Sequence, residues 1–572
     1  MSSLREAQAH HREKRKPVIA RSASPSSQEA QARHCEKRKH VVARSASPSL
    51  REAQARHCEA EGRGNPSRLG CLGGASYNPL SMHPPSAIAA LPPSQPVLRD
   101  EVRALWTLAW PILVGQLANI GMSVAAVAMS GHVSAQDLAG VSLGVSLWNI
   151  VIITLIGLLM SVNPTVAHHV GEQQLAQVPH VVRQALWKSL LLGLLATAIL
   201  QSTQLIFAWM ALEDHTRLVA QDFVLITSFG LPAYAGYRVL YGYSASINQT
   251  KPMMVVALLA LALNVLVSWV LAFGHLGFEA MGGLGCAWAT LLSVWFNLLG
   301  MLLWISRSAA HRSTYPFTHF EWPQRPMQMA LFRLGLPIGL TFFAETSAFA
   351  LIALLVARFG SAQVAAHQIA LNFASLLFMV PMSLSVAVLT RVGQSLGAGD
   401  AQGARYRAWV GLGTAMVFAT ASALFTGFFS TEIAQFYTED AAVLAVAIPL
   451  LFFAAVFQFS DSAQVVLSGA IRGYKVTRAP MLLHLTAFWL VSLPLGYVLG
   501  VAPEWAPWRP AQAMQATGFW IALVVALMIA ALGLLLMLKF IADQRCAQAA
   551  NDADSGLAMA ASASASRTPE LH

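Results

Sequence analysis

Two carboxylates stand inside long apolar runs, and they are the residues most suited to do chemistry. Glu345 lies in Phe342-Phe343-Ala344-Glu345-Thr346, and Asp461 in Phe457-Gln458-Phe459-Ser460-Asp461-Ser462-Ala463-Gln464. At bilayer depth a carboxylate costs roughly 2.5–3.5 kcal/mol on insertion scales, and it faces a protein interior or a wet cavity. Thr341 is one turn before Glu345 on the same helical face. Gln458, Asp461 and Gln464 recur every three residues and share a flank with Ser468. Gln368, Asn372 and Ser375, at spacings of four and three, form a third polar face. Carboxylates joined by amide and hydroxyl oxygens can hold a small hard cation or a proton, or neutralise a cationic substrate. Such groups can also simply hydrogen-bond helices together. For Gln368, Asn372 and Ser375 both readings stand level. For Glu345 and Asp461 the charge favours function, because uncharged residues would be cheaper glue.

Other polar positions carry less. Asp222 falls at the outer end of a segment, within reach of water, and reads as structural. His367 reads as a packing histidine, and Arg238 lies within the fourth apolar segment. The methionines read as packing, though pliable side chains also suit a promiscuous cavity. Gly393–Asp400 is glycine-rich but lacks the lysine of a phosphate-binding loop, so an ATP-driven pump is unsupported. The five cysteines form no C-x-x-C pair, which points away from a zinc site or a disulfide framework. No catalytic constellation or cofactor is indicated.

The elements that must position these groups are membrane helices. Of 572 residues, 56% are hydrophobic and 11% charged, and the mean hydropathy is +0.54. Soluble chains carry roughly 25% charged residues. From residue 104, apolar stretches long enough to cross a ~30 Å hydrocarbon core alternate with short polar breaks. They fall near 104–129, 138–163, 184–210, 219–243, 253–273, 284–306, 332–357, 363–389, 408–430, 442–470, 479–500 and 515–540. With a cytoplasmic N-terminus, eighteen Lys and Arg from residue 82 onward fall inside and three outside (Arg217, Arg358, Arg509). That sorting puts both termini in the cytoplasm.

The halves echo one another. Trp110-Pro111-Ile112 matches Leu336-Pro337-Ile338, Ser134-Ala135-Gln136 matches Ser361-Ala362-Gln363, and Val170-Gly171 matches Val392-Gly393. Six helices per half return the chain to the same side, so the repeat is parallel, with its pseudo-two-fold along the membrane normal. The expected architecture is therefore an all-α polytopic membrane protein of twelve transmembrane helices in two six-helix lobes. The N-terminal lobe, with the inter-lobe loop, takes residues 96–325 and the C-terminal lobe 326–545. Prolines 111, 232, 337, 381, 449 and 494 fit bent helices around a central cavity. A disordered cytoplasmic tail is expected over 546–572.

The net charge of +10 belongs mostly to residues 1–81, which carry +8. Glu6-Ala7-Gln8-Ala9 recurs there every 23 residues, with no apolar periodicity to bury. Residues 1–95 read as a repetitive basic leader, disordered or upstream of the true start, with Met82 an alternative beginning. The remaining charge gives no basis for a nucleic-acid partner.

Two stretches resemble the multidrug and toxic compound extrusion family in its bacterial NorM-like branch. One is Leu334–Gln394 (LGLPIGLTFFAETSAFALIALLVARFGSAQVAAHQIALNFASLLFMVPMSLSVAVLTRVGQ) and the other Gln464–Lys475 (QVVLSGAIRGYK). The resemblance spans nearly all of residues 100–545. It implies a two-lobed antiporter of the bacterial inner membrane that exports cationic amphipathic drugs against Na+ or H+ entry. The branch's acidic residues fall on Glu345 and Asp461, which would also be the metal ligands if the ion is sodium. The branch's aspartate of the first segment is Ala126 here. Of its two asparagines in the fifth segment, Asn264 is kept and the other is Ser268. A tyrosine one turn before Asp461 is Phe457. Coupling is thus expected to rest on Glu345 and Asp461, with Gln458, Gln464, Gln368, Asn372 and Asn264 in support. The implied partners are small cationic molecules and membrane lipid, and the working form a monomer. The rivals are a lipid-linked sugar flippase, which would favour a basic cavity where Lys and Arg look scarce, and a non-transporting receptor or scaffold.

Overall fold

The computed structural model describes residues 97–203, 207, 213–506 and 508–565, and these are helical apart from short connections. The leader lies outside the described residues. The order is α1 (Leu98–Val133), α2 (Ala135–Leu159), α3 (Val162–Gly171), α4 (Val178–Ser202), α5 (Asp214–Ser228), α6 (Leu231–Ser246), α7 (Lys251–Phe273) and α8 (Gly283–Arg307). Then come α9 (Arg325–Val356), α10 (Ser361–Gly397), α11 (Ala401–Phe428), α12 (Ser430–Tyr437), α13 (Ala441–Gly473) and α14 (Arg478–Leu485). A π-helical stretch, Thr486–Ser492, leads into α15 (Leu493–Val501), and α16 (Gln515–Ala565) closes the described chain. Among the described residues eleven helices are long and apolar enough to cross a membrane, with α2–α3 and α14–α15 each read as one span. The pair α5–α6, bent by 48°, counted as one span makes twelve.

Local chemistry sets these limits. Ser134, Asp400 and Asp440 cap α2, α11 and α13 by accepting backbone N–H bonds from Asp137, Gly403 and Ala442. Gly274 ends α7 in the left-handed region that favours glycine. Four of the six prolines lie inside helices: Pro111, Pro337, Pro381 and Pro449. Pro232 instead occupies the first turn after the α5–α6 bend, where a missing N–H removes no bond, and Pro494 follows directly on the π stretch within one continuous helical run. Over the stretch expected to form the tail, α16 runs on as far as Ala565.

Large apolar side chains cover the outside. Leu191 is 68% exposed and Phe540 70%, with Leu194, Leu195, Leu532 and Leu536 beside them. Continuous apolar cover of this kind matches a lipid environment rather than water. The first and second halves of the described chain meet at the end that carries most Lys and Arg. There α9 crosses α2 so closely that a Cβ on Gly157 would stand 2.7 Å from the Gly339 Cα. A Cβ on Gly171 would overlap the Gln394 carbonyl, so only glycine permits α3 to touch α10 there. Glu101, with 0% exposure, accepts a two-pronged bond from Arg391 at 2.5 Å per prong and pairs with Arg407 at 3.5 Å. The His168 imidazole also bonds the Gly473 carbonyl at 2.8 Å.

Candidate coupling site

The polar flank of α13 is longer than its sequence spacing suggested. Gln458, Asp461, Gln464, Ser468 and Arg472 descend one stripe and are all buried, Asp461 to 6% and Arg472 to 5% exposure. Gln458 Nε2 donates to Thr426 Oγ1 at 3.2 Å. Gln464 Nε2 donates to His484 Nε2 at 2.9 Å, while His484 Nδ1 bonds the Pro480 carbonyl at 2.7 Å. A ring that accepts at one nitrogen and donates at the other is neutral. The remaining oxygens have no partner: Gln458 Oε1, Gln464 Oε1 and Ser468 Oγ are buried and unbonded. Unbonded buried oxygens flanking a carboxylate are the donor set a hard cation takes.

Glu345 reaches this stripe from α9. It is half-buried, and it lies on α9 between Phe349, whose ring centroid is 6.3 Å from that of Phe457, and Phe342, whose ring lies 5.2 Å from the Arg472 guanidinium, so it stands at a level between Phe457 and Arg472 of α13. Two features fix the neighbouring backbone. Thr341 Oγ1 donates to the Pro337 carbonyl at 2.9 Å, filling an acceptor one turn below. Trp489, on the π stretch, donates Nε1–H to the Ala344 carbonyl at 3.2 Å. Wider π turns recur at functional sites because they re-aim a side chain, and here the side chain meets the residue next to Glu345.

The expected supporting residues divide. Gln458 and Gln464 stand with Asp461. Gln368, Asn372 and Ser375 are exposed on α10, and among the described residues their side chains bond no other helix. Asn264 is wholly buried in α7 with both amide atoms unbonded, and Ser268 one turn on is the same. Ala126 packs among Val141, Phe223 and Cys286 in an apolar cluster, so the first lobe carries no acid at that position. His367 packs as expected, accepting from Trp520 Nε1 at 3.1 Å. Asp222 is half-buried in α5.

The sequence reading missed Arg472, which counted as a loop charge. Its distance of eleven residues from Asp461 is three turns, and that spacing could have placed it on the stripe. Basic residues at depth are also less scarce than expected. Lys188 is buried and held by the Leu158 and Leu331 carbonyls and Ser161 Oγ, at 2.8, 2.9 and 3.1 Å. Arg238 is buried over the Tyr241 ring at 4.4 Å.

Membrane-length helices with apolar outer faces, carrying a buried Asp461 and a half-buried Glu345 between them, mark a polytopic membrane protein with a polar interior. The family model MatE matches residues 111–270 and 337–498. The chain is 40% identical over 460 residues to multidrug resistance protein PmpM of Pseudomonas aeruginosa, spanning 78% of this chain and 94% of that one. It is 38% identical over 434 residues to multidrug resistance protein NorM of Vibrio cholerae, spanning 76% and 94%. It is 36% identical over 447 residues to multidrug resistance protein MdtK of Yersinia pseudotuberculosis, spanning 78% and 96%. In fold it is similar to a crystal structure of a eukaryotic MATE transporter, with TM-score 0.70 at 18% identity over 79% of this chain and 99% of that one. A MATE structure in a bent conformation gives 0.71 at 19%, over 79% and 98%. The chain belongs to the MatE family.

Proposed function

We propose that this protein is a secondary active antiporter that exports cationic amphipathic compounds in exchange for Na+ or H+. The observation that carries this reading is a buried Asp461 on α13 flanked by three unbonded buried oxygens, with Glu345 on α9 one turn from the Phe349–Phe457 contact that packs the two helices together. A cation arriving there neutralises charge that a cationic substrate would otherwise occupy. Binding of one therefore favours release of the other, provided the two lobe arrangements differ in affinity. The lobes meet at the basic end, which the charge sorting assigns to the cytoplasm, so this arrangement suits cation entry and substrate release on the far side. The exposed polar face of Gln368, Asn372 and Ser375 suits the wall of the open cleft.

On this reading the protein works as a monomer in the bacterial inner membrane, with both termini cytoplasmic and with no ATP or cofactor. The two successive matches of the family model and the offset motifs support two like lobes in parallel. The buried basic residues do not assemble an anionic-sugar site: Lys188 is held by three neutral oxygens, and Arg238 and Arg472 lie in different lobes.

Drug susceptibility of cells expressing Glu345→Gln or Asp461→Asn at parental level tests the assignment. Each variant is expected to lose export, raising susceptibility at least severalfold. Export equal to the parent in both overturns it. Varying sodium at fixed pH in vesicles identifies the ion.

A further inference from the structure

Arg238 is a cation among the membrane helices with no anion to balance it. It lies in α6, eight residues and so ~12 Å of axis before the helix ends at Ser246, and it is only 8% exposed. Among the described residues its guanidinium makes no hydrogen bond and has no carboxylate within 4.0 Å. It stands over the Tyr241 ring, 4.4 Å from the centroid. A ring face attracts a cation but does not replace the water that the charge has lost. A neutral side chain would fill the place at lower cost.

The surroundings offer donors and no acid. Tyr237 and Tyr241 sit one turn apart with ring centroids at 6.1 Å, and Tyr234 and then Trp148 of α2 continue the ladder at 6.5 and 6.4 Å. The Tyr237 and Tyr241 hydroxyls are buried without a partner. The Arg238 nitrogens are not closed off in that way, so a small group can reach them. The acids of the first half are engaged elsewhere or out of reach. Glu101 is held by Arg391 and Arg407, and Asp137 accepts from Ser134 Oγ and the Gly283 N–H. Asp222 on α5 makes no ion pair with Arg238. Ala126 occupies the position of the first-segment acid, in an apolar cluster. The acids picked out at membrane depth, Glu345 and Asp461, both belong to the second half.

We propose that Arg238 is a carboxylate site of the first lobe, which admits substrates bearing a carboxylate beside their cationic centre. A guanidinium presents paired N–H donors that match the two oxygens of a carboxylate. One fixed cation balances one negative charge, which suits a carboxylate and leaves a doubly charged phosphate half balanced. The Tyr241 ring beneath the guanidinium steadies its plane, and the unspent tyrosine hydroxyls leave further donors at its edge. The inference rests on the proposed export of amphipathic cations and widens it to zwitterions. The acids of the second lobe take the cationic centre, and Arg238 takes the carboxylate.

A matched pair of dyes tests this. Rhodamine 6G is a cationic ester, and rhodamine 19 is its free acid, a zwitterion at neutral pH. Fluorescence anisotropy of each reports its binding to the full chain purified in detergent. The parent is expected to bind both, with acetate displacing rhodamine 19 and not rhodamine 6G. Arg238→Gln is expected to bind rhodamine 19 about tenfold more weakly, to bind rhodamine 6G at least as tightly as the parent, and to lose the acetate effect. Arg238→Lys, which keeps the charge without the fork, is expected to bind rhodamine 19 with intermediate affinity. The acetate competition needs only the parent and decides the matter if Arg238→Gln does not fold. A parent that binds rhodamine 6G alone, acetate without effect on rhodamine 19, or chloride competing as well as acetate overturns the inference while leaving cation export standing. So does an Arg238→Gln variant that binds rhodamine 19 as the parent does or weakens both dyes alike, or a lysine variant no better than the glutamine one. A parent that binds neither dye overturns the export reading as well.

Discussion

Ser468 shows how an unbonded group separates stability from function. Its hydroxyl is buried without a partner, and such a group costs about 1–3 kcal/mol in lost hydration. Ser468→Ala should therefore raise thermal stability in ion-free detergent, by about 1 kcal/mol. If the oxygen serves the coupling ion, the same change should raise the half-saturating ion concentration severalfold and leave the maximal rate nearly unchanged. A thermal melt and an ion titration of transport check the two halves, and unchanged ion affinity would remove Ser468 from the site. Glu345 and Asp461 were legible in the sequence because an acid in an apolar run has few inexpensive explanations. Arg472 was not, because it ends α13 beside Gly473-Tyr474-Lys475, where a basic residue reads as a cytoplasmic flank. His484 was not, because its significance lies in a bond to Gln464 twenty residues away. The face of Gln368, Asn372 and Ser375 was legible as polar, but spacing alone does not say whether a face meets a helix or open space.

At the level of elements, apolar stretches gave the existence of the spans, and tertiary contacts decided their detail. The π stretch Thr486–Ser492 has no signature in its residues, because its register follows from where Trp489 and Phe488 must pack. The inter-lobe connection is likewise an ordered strap rather than a free linker. Arg183 donates to the Pro316 carbonyl at 2.9 Å and to Glu321 at 2.5 Å. His180 and His319 also bond Glu321, and Trp187 and Gln184 bond the Glu321 and Trp322 carbonyls. The Arg183 bond, with those of the two histidines, holds the Glu321 carboxyl down at about 2 against an ordinary 4.5. A carboxyl depressed in the folded state contributes docking that is complete above its unfolded value. That contribution is lost as pH falls through the folded value. The strap should therefore stay docked down to about pH 4.5 and loosen between there and about pH 2. Pepsin cleavage near Phe317 and Phe320, compared with Glu321→Gln, checks this. The glutamine variant should be cut readily throughout, and the parent should approach it only at the acid end. Equal cleavage of both at pH 4.5 would show that Glu321 does not hold the strap.

For the whole molecule, the two halves of the described chain meet at one end, and the contacts there are of two kinds. Close glycine crossings at Gly157–Gly339 and Gly171–Gln394 set how near the helices approach. The wholly buried Glu101, gripped by Arg391 and Arg407, sets how firmly they stay. An alternating-access cycle requires this end to open once per turnover, so the ion pair cannot be a permanent weld. A buried pair loses roughly 3–5 kcal/mol when one partner is removed, and every 1.4 kcal/mol is tenfold in a population. Glu101→Gln removes the charge with little change of shape and leaves Arg391 and Arg407 partly solvated, so the closed arrangement should lose most of its advantage. A cysteine at Ala167, which packs across the crossing from Gly393, reports the change in a background with the native cysteines replaced by serine. Maleimide should label it at least tenfold faster in Glu101→Gln than with Glu101 intact. A labelling rate unaffected by the substitution would place the closing force in the helix crossings alone, with Glu101 no more than a cap on the first turn of α1.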